Sequence, residues 1–144
     1  MAEYKVFISH SHGQDQYYEG VRSFLKERLG KNFRDKSIDL SHRVQGNWQR
    51  IAEAKIDDCD VVVVINKPSA THSEAITKEL KYAKKRRKPI LAVVPREGDR
   101  RSSVVQELAD DHCDWDSQHI ADAVKTLALN SSSSGGFWSK LIGG

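Results

Sequence analysis

Two short and wholly apolar runs, Val61–Ile65 and Ile90–Val94, constrain the fold of this chain more than any other feature. Turn residues bound both runs, and continuous Val/Ile segments of this length are typical of strands covered on both faces, as in a parallel sheet. One segment of helical periodicity, about Ser73–Arg87, separates them. A strand, a helix and a second strand in this order predict a right-handed βαβ unit.

A carboxylate falls on the side of this helix that should face the sheet. Ile76, Leu80, Ala83 and Arg87 mark the inward stripe, and Glu79 lies within it. Burying a carboxylate costs free energy unless a partner compensates for the lost hydration. Glu79 is therefore a candidate functional residue. The structural alternative is a salt bridge with a basic residue from a neighbouring loop.

Glu74, on the same helix, provides an internal comparison. It stands in the first turn, where a negative charge interacts favourably with the helix dipole, and Lys78 follows it at i+4 spacing. A surface role explains Glu74 fully, whereas nothing on its own helix face explains Glu79.

The remaining periodicities extend the alternation of strands and helices along the chain. The other predicted strands are Tyr4–Ser9, part of Phe33–Leu40, and Cys113–Trp115; the other helices carry Tyr18–Leu29, Trp48–Ile56, Val104–Ala109 and Ser117–Leu129. This pattern predicts an α/β, flavodoxin-like fold: an open, mainly parallel five-stranded sheet of order 2-1-3-4-5 with helices on both faces.

In such a sheet, ligands bind beyond the carboxyl ends of the strands, at the switch point between the first and third strands. Three turns meet there, Ser9–Gly13, Ser41–Gly46 and Asn66–Ser73, and all are rich in hydroxyl, imidazole and amide groups. The turn after the first strand and Glu79 would face the same crevice. The sequence therefore predicts a polar binding site at this edge of the sheet.

Composition and missing motifs exclude several classes of function. The chain of 144 residues suits one domain, and its net charge of +3 permits an anionic ligand without requiring nucleic acid. It has no dinucleotide-binding glycine motif, no P-loop, and no histidine pair at zinc spacing, so neither a cofactor nor a metal is expected. The basic run Lys84–Lys88 fits a solvated helix end better than a nucleic-acid patch, because no aromatic residues are interleaved with it.

Cysteine usage and the chain termini suggest a compartment. Cys59 and Cys113 show no metal or redox spacing, and we interpret them as small buried hydrophobic residues. The sequence enters a strand at once, without a signal peptide, and no apolar stretch is long enough to cross a bilayer. We expect a cytoplasmic protein.

The last fifteen residues differ in composition from the domain at 1–129. Residues 130–136 are a Ser/Gly-rich linker, and residues 137–144 form a short apolar peptide. Its apolar side chains, within Phe137–Ile142, are costly to leave in water. Two alternatives stay open: the peptide folds back onto the domain, or it contacts a partner or a membrane.

Taken together, these segments resemble the TIR-like family, in particular the TIR-like subunit of Thoeris anti-phage systems. The matching segments, in chain order, are YKVFISHSHGQD, IAEAKIDDCDVVVVI, SEAITKEL, KYAKKRRKPILAVVP and DDHCDWDSQHIADAV. The likeness runs from about Tyr4 to Leu129. Two departures stand out: Ala75 occupies the position of a tryptophan in many relatives, and the loop after the second strand lacks the proline and glycine pattern of signalling receptors.

The resemblance implies an NAD-cleaving enzyme (an NADase) that breaks the nicotinamide–ribose bond, with Glu79 as the catalytic residue and NAD+ as the substrate. The product would be an ADP-ribose derivative, in some relatives cyclic, that activates an effector protein during phage infection. Active relatives assemble into homo-oligomers, in which the loop after the second strand completes a neighbour's site. Candidate substrate contacts, assigned by location, are Phe7, Ser9, His10, Arg43, Asn47 and Ser73.

Two other functional classes compete with the enzyme. The first is a non-catalytic interaction and assembly module built on the same fold. The second is a phosphoacceptor domain, which requires acidic residues at the strand ends. Because the third strand ends in Ile65-Asn66-Lys67, without an aspartate, we disfavour the second class.

Overall fold

The computed structural model describes residues 3–11, 15–37, 47–96 and 98–132, with only the backbone described at residues 15, 131 and 132. The strands are β1 (Tyr4–Ser9), β2 (Phe33–Asp35), β3 (Val61–Ile65), β4 (Ile90–Val94) and β5 (Asp111–Asp114). The helices are α1 (Asp15–Leu29), α2 (Trp48–Asp57), α3 (Glu74–Lys85), α4 (Ser103–Leu108) and α5 (Ser117–Ser132), with short 3-10 turns at Gly30–Asn32 and Pro68–Ala70.

All five strands are parallel, and their order in the sheet is β2-β1-β3-β4-β5. The predicted α/β, flavodoxin-like fold is therefore confirmed. The order reverses at β1, which pairs with β2 on one side and β3 on the other. Ser9, the last residue of β1, lies beside Val64 of β3 in this register.

Alternate residues of the central strands pack on opposite faces of the sheet, as the pleat requires. The first face is covered by α1 and α5; its strand residues are Val6, Ile8, Val61, Val63, Ile65, Leu91 and Val93. The second face is covered by α2, α3 and α4; its strand residues are Phe7, Val62, Val64, Ile90 and Ala92. Every residue of β3 and β4 is buried, so the two apolar runs of the sequence form the centre of the core.

The predicted bounds hold for β1, β3 and β4 and shift at the edges of the sheet. β5 begins at Asp111, two residues before the prediction, and its side chains are mostly exposed, so it carries no apolar pattern. β2 has only three residues, as suits an edge strand. α3 ends at Lys85, which places Arg87 beyond the helix and exposed, not on its inward stripe as predicted.

The two cysteines are free. Cys59 is buried and Cys113 is half-buried, and burial is the main cause that raises the pKa of each thiol to about 12. Neither thiol is therefore ionised at neutral pH, as a nucleophile would have to be.

The chain termini are only partly described. α5 continues through residue 132, three residues past its predicted end, and so includes the start of the proposed linker. The rest of the linker and the apolar peptide lie outside the described residues, and the division of the chain into domain, linker and peptide stays a prediction. No helix in the described ranges combines the length and apolarity that a bilayer span requires.

Because Gly20 on α1 has no side chain, the indole of Trp115, which directly follows β5, packs closely against the helix backbone. A Cβ added at Gly20 would lie 2.5 Å from Trp115 Cζ2, and the indole also contacts Tyr17 and Phe24 edge-on. Replacing glycine by alanine within a helix normally increases the stability of the fold by about 1 kcal/mol. Here we expect Gly20→Ala to destabilise the fold by about 1–3 kcal/mol because of overpacking.

Urea unfolding followed by tryptophan fluorescence measures this change. The control is Ser23→Ala, on the exposed side of the same helix. We expect it to leave the urea concentration at the midpoint of unfolding nearly unchanged. A Gly20→Ala variant that is more stable than the parent would contradict the close packing.

Candidate functional site

A buried polar pair stands at the carboxyl end of β1. The Ser9 hydroxyl donates a hydrogen bond of 2.7 Å to Glu79 Oε1. Ser9 has no exposed surface and Glu79 is 2% exposed. The carboxylate is therefore neither turned toward bulk solvent nor left without a hydrogen bond, and burial makes that bond costly to remove.

Strand alternation explains why these two residues meet. Ser9 follows Phe7 by two positions, so both project toward the face of the sheet that α3 covers. Glu79 lies on the buried side of α3 with Ile76, Leu80 and Ala83. The expectation that Glu79 faces inward is confirmed.

His10 lies on the opposite face of the sheet from Ser9. Its ring stacks on Tyr18 of α1 with centroids 4.2 Å apart and planes 8° apart, and its Nδ1 lies 3.0 Å from the Ile8 carbonyl oxygen. His10 is 2% exposed. The adjacent Ser9 and His10 are thus fixed by different helices, one by α3 and the other by α1.

A second polar network holds the start of the loop after β2 against β1. The Tyr18 hydroxyl donates to Asp35 Oδ2 at 2.6 Å, and Arg22 Nε lies 3.3 Å from the same oxygen. Asp35 Oδ1 accepts from the Ser37 amide, and the Ser37 hydroxyl accepts from the Ile8 amide. Burial, followed by the hydrogen bond to Asp35, raises the pKa of Tyr18 well above its usual range.

A third network joins the loops after β3 and β4. Asn66 Oδ1 accepts from the Ser102 amide at 2.8 Å, and Asn66 Nδ2 donates to Gln106 Oε1 at 2.7 Å. The Ser102 hydroxyl lies 2.7 Å from Thr71 Oγ1. These contacts fix the segment that leads from β3 into α3, the helix that carries Glu79.

Asn66 and Thr71 lie in the turn Asn66–Ser73, which the sequence predicts at the edge of the binding site, but Ser102, Gln106 and the residues of the second network are not predicted there. Tyr18 gave only the signal of a helix stripe, and Asp35 and Ser37 fell within a segment predicted as a polar edge strand. Asn66 and Ser102 lie thirty-six positions apart. Nothing in sequence spacing indicates that these side chains meet, because the contacts depend on how the loops return to the sheet.

Two of the predicted substrate contacts have structural roles in this arrangement. Phe7 has no exposed surface and packs with Ile56 and Ile76 in the core of the second face. Ser73 is the N-cap of α3, where its hydroxyl accepts from the Ile76 amide at 3.1 Å. Any contact of either residue with a substrate stays a prediction.

Of the remaining two predicted contacts, the structure describes only Asn47. Asn47 is exposed at the start of α2 and lines a cavity of about 570 Å³ with Gln49, Arg50, Ile51 and Glu53. Neither Ser9 nor Glu79 is among the described lining of that cavity. Arg43 and the rest of the predicted loop Ser41–Gly46 lie outside the described residues.

The site's chemistry therefore rests on a carboxylate oriented by a hydroxyl in a poorly solvated position. In such surroundings a negative charge stabilises a nearby developing positive charge more strongly than it would in water. Glu74, by contrast, is exposed and forms the predicted ion pair with Lys78 at 2.8 Å. Among the described residues, no three His, Cys, Asp or Glu side chains come together as metal ligands would.

Comparison with known proteins identifies the family. A family model described as the TIR domain matches residues 6–128. The match includes most of β1 and all of α3, and with them Ser9 and Glu79. The chain therefore belongs to the TIR domain family. No curated protein sequence matches it significantly.

Two solved structures share the fold at low sequence identity. A Clostridium botulinum CMP N-glycosidase, BcmB, aligns with a TM-score of 0.53 at 14% identity, covering 84% of this chain and 98% of its own. A 3-dehydroquinate dehydratase-like protein from Bifidobacterium longum aligns with a TM-score of 0.55 at 15% identity, covering 92% and 100%. At such identities the likeness shows the fold alone.

We expect Ser9 and Glu79 to be energetically coupled. Ser9→Ala removes a hydrogen bond from a buried carboxylate and should destabilise the fold by about 1–3 kcal/mol. In the Glu79→Met variant, which lacks the acceptor, Ser9→Ala should lower the free energy of unfolding by clearly less. The free energies of unfolding of the two single variants and the double variant, from urea titrations, measure the coupling.

Additive effects of the two substitutions would contradict this coupling. Ser73→Ala is a suitable comparison, since it removes another hydroxyl on the same helix whose partner is a backbone amide and not Glu79. We expect its effect to add to that of Glu79→Met.

Proposed function

We propose that the protein cleaves NAD+ at the bond between nicotinamide and ribose, with Glu79 as the catalytic residue. The observation that supports this most directly is the carboxylate of Glu79 held by Ser9 at the carboxyl edge of the sheet. This is the edge at which open α/β sheets bind their ligands. Membership of the TIR domain family, in which NAD cleavage is known, points to the same reaction.

The reaction suits a single carboxylate. Nicotinamide leaves as a neutral molecule, so no strong acid is needed to protonate it. Positive charge develops on the ribose instead, as in other glycosidic cleavages, and an anionic side chain beside the sugar stabilises that charge. Most O-glycosidases need a second carboxylate as the acid, but this leaving group does not.

The hydrogen bond from Ser9 would orient Glu79 for this role. A carboxylate fixed in advance requires little reorganisation when the charge forms on the ribose. The ribose would approach from the carboxyl ends of β1 and β3, where Ser9 ends β1 and Asn66 directly follows β3. The fate of the sugar cation then depends on the nucleophile held nearby: water gives ADP-ribose, and a group of the nucleotide itself gives a cyclic product.

The wider role that we propose follows the resemblance to the TIR-like subunit of Thoeris systems. The ADP-ribose derivative would act as a signal in anti-phage defence and reach an effector protein by diffusion. Activation would involve homo-oligomers, with the loop after β2 completing the site of a neighbour. Within one chain, the bond from the Ile8 amide to the Ser37 hydroxyl fixes the start of that loop beside the end of β1.

A non-catalytic assembly module is the second candidate. The observation that favours it is the burial of Glu79, which is 2% exposed, because a buried carboxylate bonded to a serine can be purely structural. Such a module would form concentration-dependent oligomers that Glu79→Gln leaves intact, and it would not consume NAD+.

Release of nicotinamide from NAD+ by the purified full chain, followed by chromatography, tests the catalytic proposal. We expect Glu79→Gln to lower the turnover number by on the order of 10²–10³-fold, the loss typical of removing one preorganised electrostatic group. Glu74→Gln is the matched control, since it makes the same change on an exposed part of the same helix. We expect it to retain the parent activity.

Two results would overturn the proposal. One is an absence of nicotinamide release by the parent protein, both in dilute solution and when clustered at high concentration. The other is a Glu79→Gln variant that is as active as the parent. A mass spectrum of the nucleotide product distinguishes hydrolysis from cyclisation.

A further inference from the structure

A cationic cavity lies at the amino end of the sheet, opposite the edge that carries Glu79. Its volume is about 420 Å³, within the range of about 300–1,000 Å³ that is typical of small-molecule sites. It opens where α3 ends and β4 begins, beside the last turns of α5. Its described lining consists of Lys84, Arg87, Lys88, Pro89, Asp110, Leu127 and Asn130.

Arg87 occupies a backbone position that favours glycine. The amide of Arg87 donates to the Lys84 carbonyl and the amide of Lys88 to the Ala83 carbonyl, which together form a Schellman motif at the end of α3. Arg87 has φ of 60°, in the left-handed region. A side chain with a Cβ is disfavoured there, so the chain keeps an arginine at a cost in stability.

No polar contact of the Arg87 side chain with the described residues offsets this loss of stability. Among the described residues, its guanidinium forms no hydrogen bond and no ion pair. The neighbouring Arg86, in contrast, pairs with Asp57 at 2.8 Å. An exposed arginine at a glycine position, directed to a cavity and without a described partner, is available for a ligand.

The other two cations of the cavity are held in place. Lys84 Nζ pairs with Asp110 at 3.0 Å, and Asp110 itself accepts from the Ile90 amide. Lys88 Nζ donates to the Cys59 carbonyl at 2.9 Å. With three cations and one carboxylate, the described lining carries a net charge of about +2. Because Lys84 and Lys88 are already fixed, they lose little side-chain entropy when an anion binds.

We propose that this cavity binds a small organic phosphate, with the phosphate group on the Arg87 guanidinium. The planar guanidinium matches the oxygens of a phosphate in a two-point contact. Leu127 and Pro89 provide an apolar wall for the rest of the ligand. The site is separate from Glu79 and does not depend on the reaction proposed there.

Titration of the ¹⁵N-labelled full chain with AMP tests this assignment, with inorganic phosphate and adenosine as separate arms. We expect AMP to shift the amide signals of Lys88, Ile90 and Leu127, and to bind more tightly than either fragment. Arg87→Gly should weaken AMP binding by about tenfold or more, as expected for one charge-assisted contact. The same variant should unfold at a higher temperature than the parent, because glycine suits the left-handed position.

Lys85→Ala is the matched control. It removes one positive charge from the same basic run, but Lys85 is not part of the described lining. We expect it to retain AMP binding, which would show that Arg87 acts by contact and not through net charge.

The proposal fails if AMP at millimolar concentration shifts none of these signals. It also fails if Arg87→Gly binds AMP as well as the parent does, or if Lys85→Ala weakens binding equally. Shifts confined to Ser9 and Ser11 at the other end of the sheet, and unchanged in Arg87→Gly, would place AMP at the proposed NAD+ site and overturn the assignment. If inorganic phosphate binds as tightly as AMP, the cavity recognises the anion alone, and the assignment to an organic phosphate is wrong.

Discussion

The central strand β3 has no exposed residue, and the positions of its neighbours β1 and β4 follow from its burial. Because β3 is covered on both faces and paired on both edges, β1 and β4 must lie beside it in a fixed register. A shift of one residue would move polar groups into the core. The same constraint sends Ser9 toward α3, and so decides which side chain of the turn meets Glu79.

Polar groups at the carboxyl edge of the sheet are buried or half-buried, and they are hydrogen-bonded. Ser9 donates to Glu79, Tyr18 donates to Asp35, and Asn66 joins the loops after β3 and β4. Each of these bonds compensates for lost hydration and also fixes the direction of a side chain or a loop. A site built in this way has its side chains oriented before any ligand arrives, which suits the charge stabilisation that we propose for Glu79.

The two ends of the sheet have different electrostatic character. The carboxyl end holds buried polar residues, Ser9, His10, Asn66 and Glu79, whereas the amino end presents cations around an open cavity. The cations follow from the end of α3, where positive side chains complement the helix dipole. Arg87 goes beyond that role, because it lies past the helix in a conformation that does not favour it.

Much of the fold could be predicted from the sequence, and the outcome differs between elements for a physical reason. The runs that became β3 and β4 are buried on both faces, so their composition is uniform and their bounds are visible. β5 is an exposed edge strand; its residues pair through the backbone, and their side chains carry no apolar pattern. β2, the other edge strand, has three residues, Phe33–Asp35, within the polar segment Phe33–Leu40 that was predicted to contain it.

The sequence by itself determined the α/β architecture and the inward side of Glu79, because hydrophobic periodicity records which side of an element is buried. The strand order was predicted from the arrangement that is common for such an alternation of strands and helices. Only the tertiary structure decided that Ser9 binds Glu79 while His10 stacks on Tyr18, and that Asp35 and Ser37 hold the start of the next loop. The bonds of Ser9 to Glu79 and of Ile8 to Ser37 join residues far apart in the chain. The pleat of the sheet and the paths of the loops decide which of these side chains meet, and hydrophobic periodicity does not encode either.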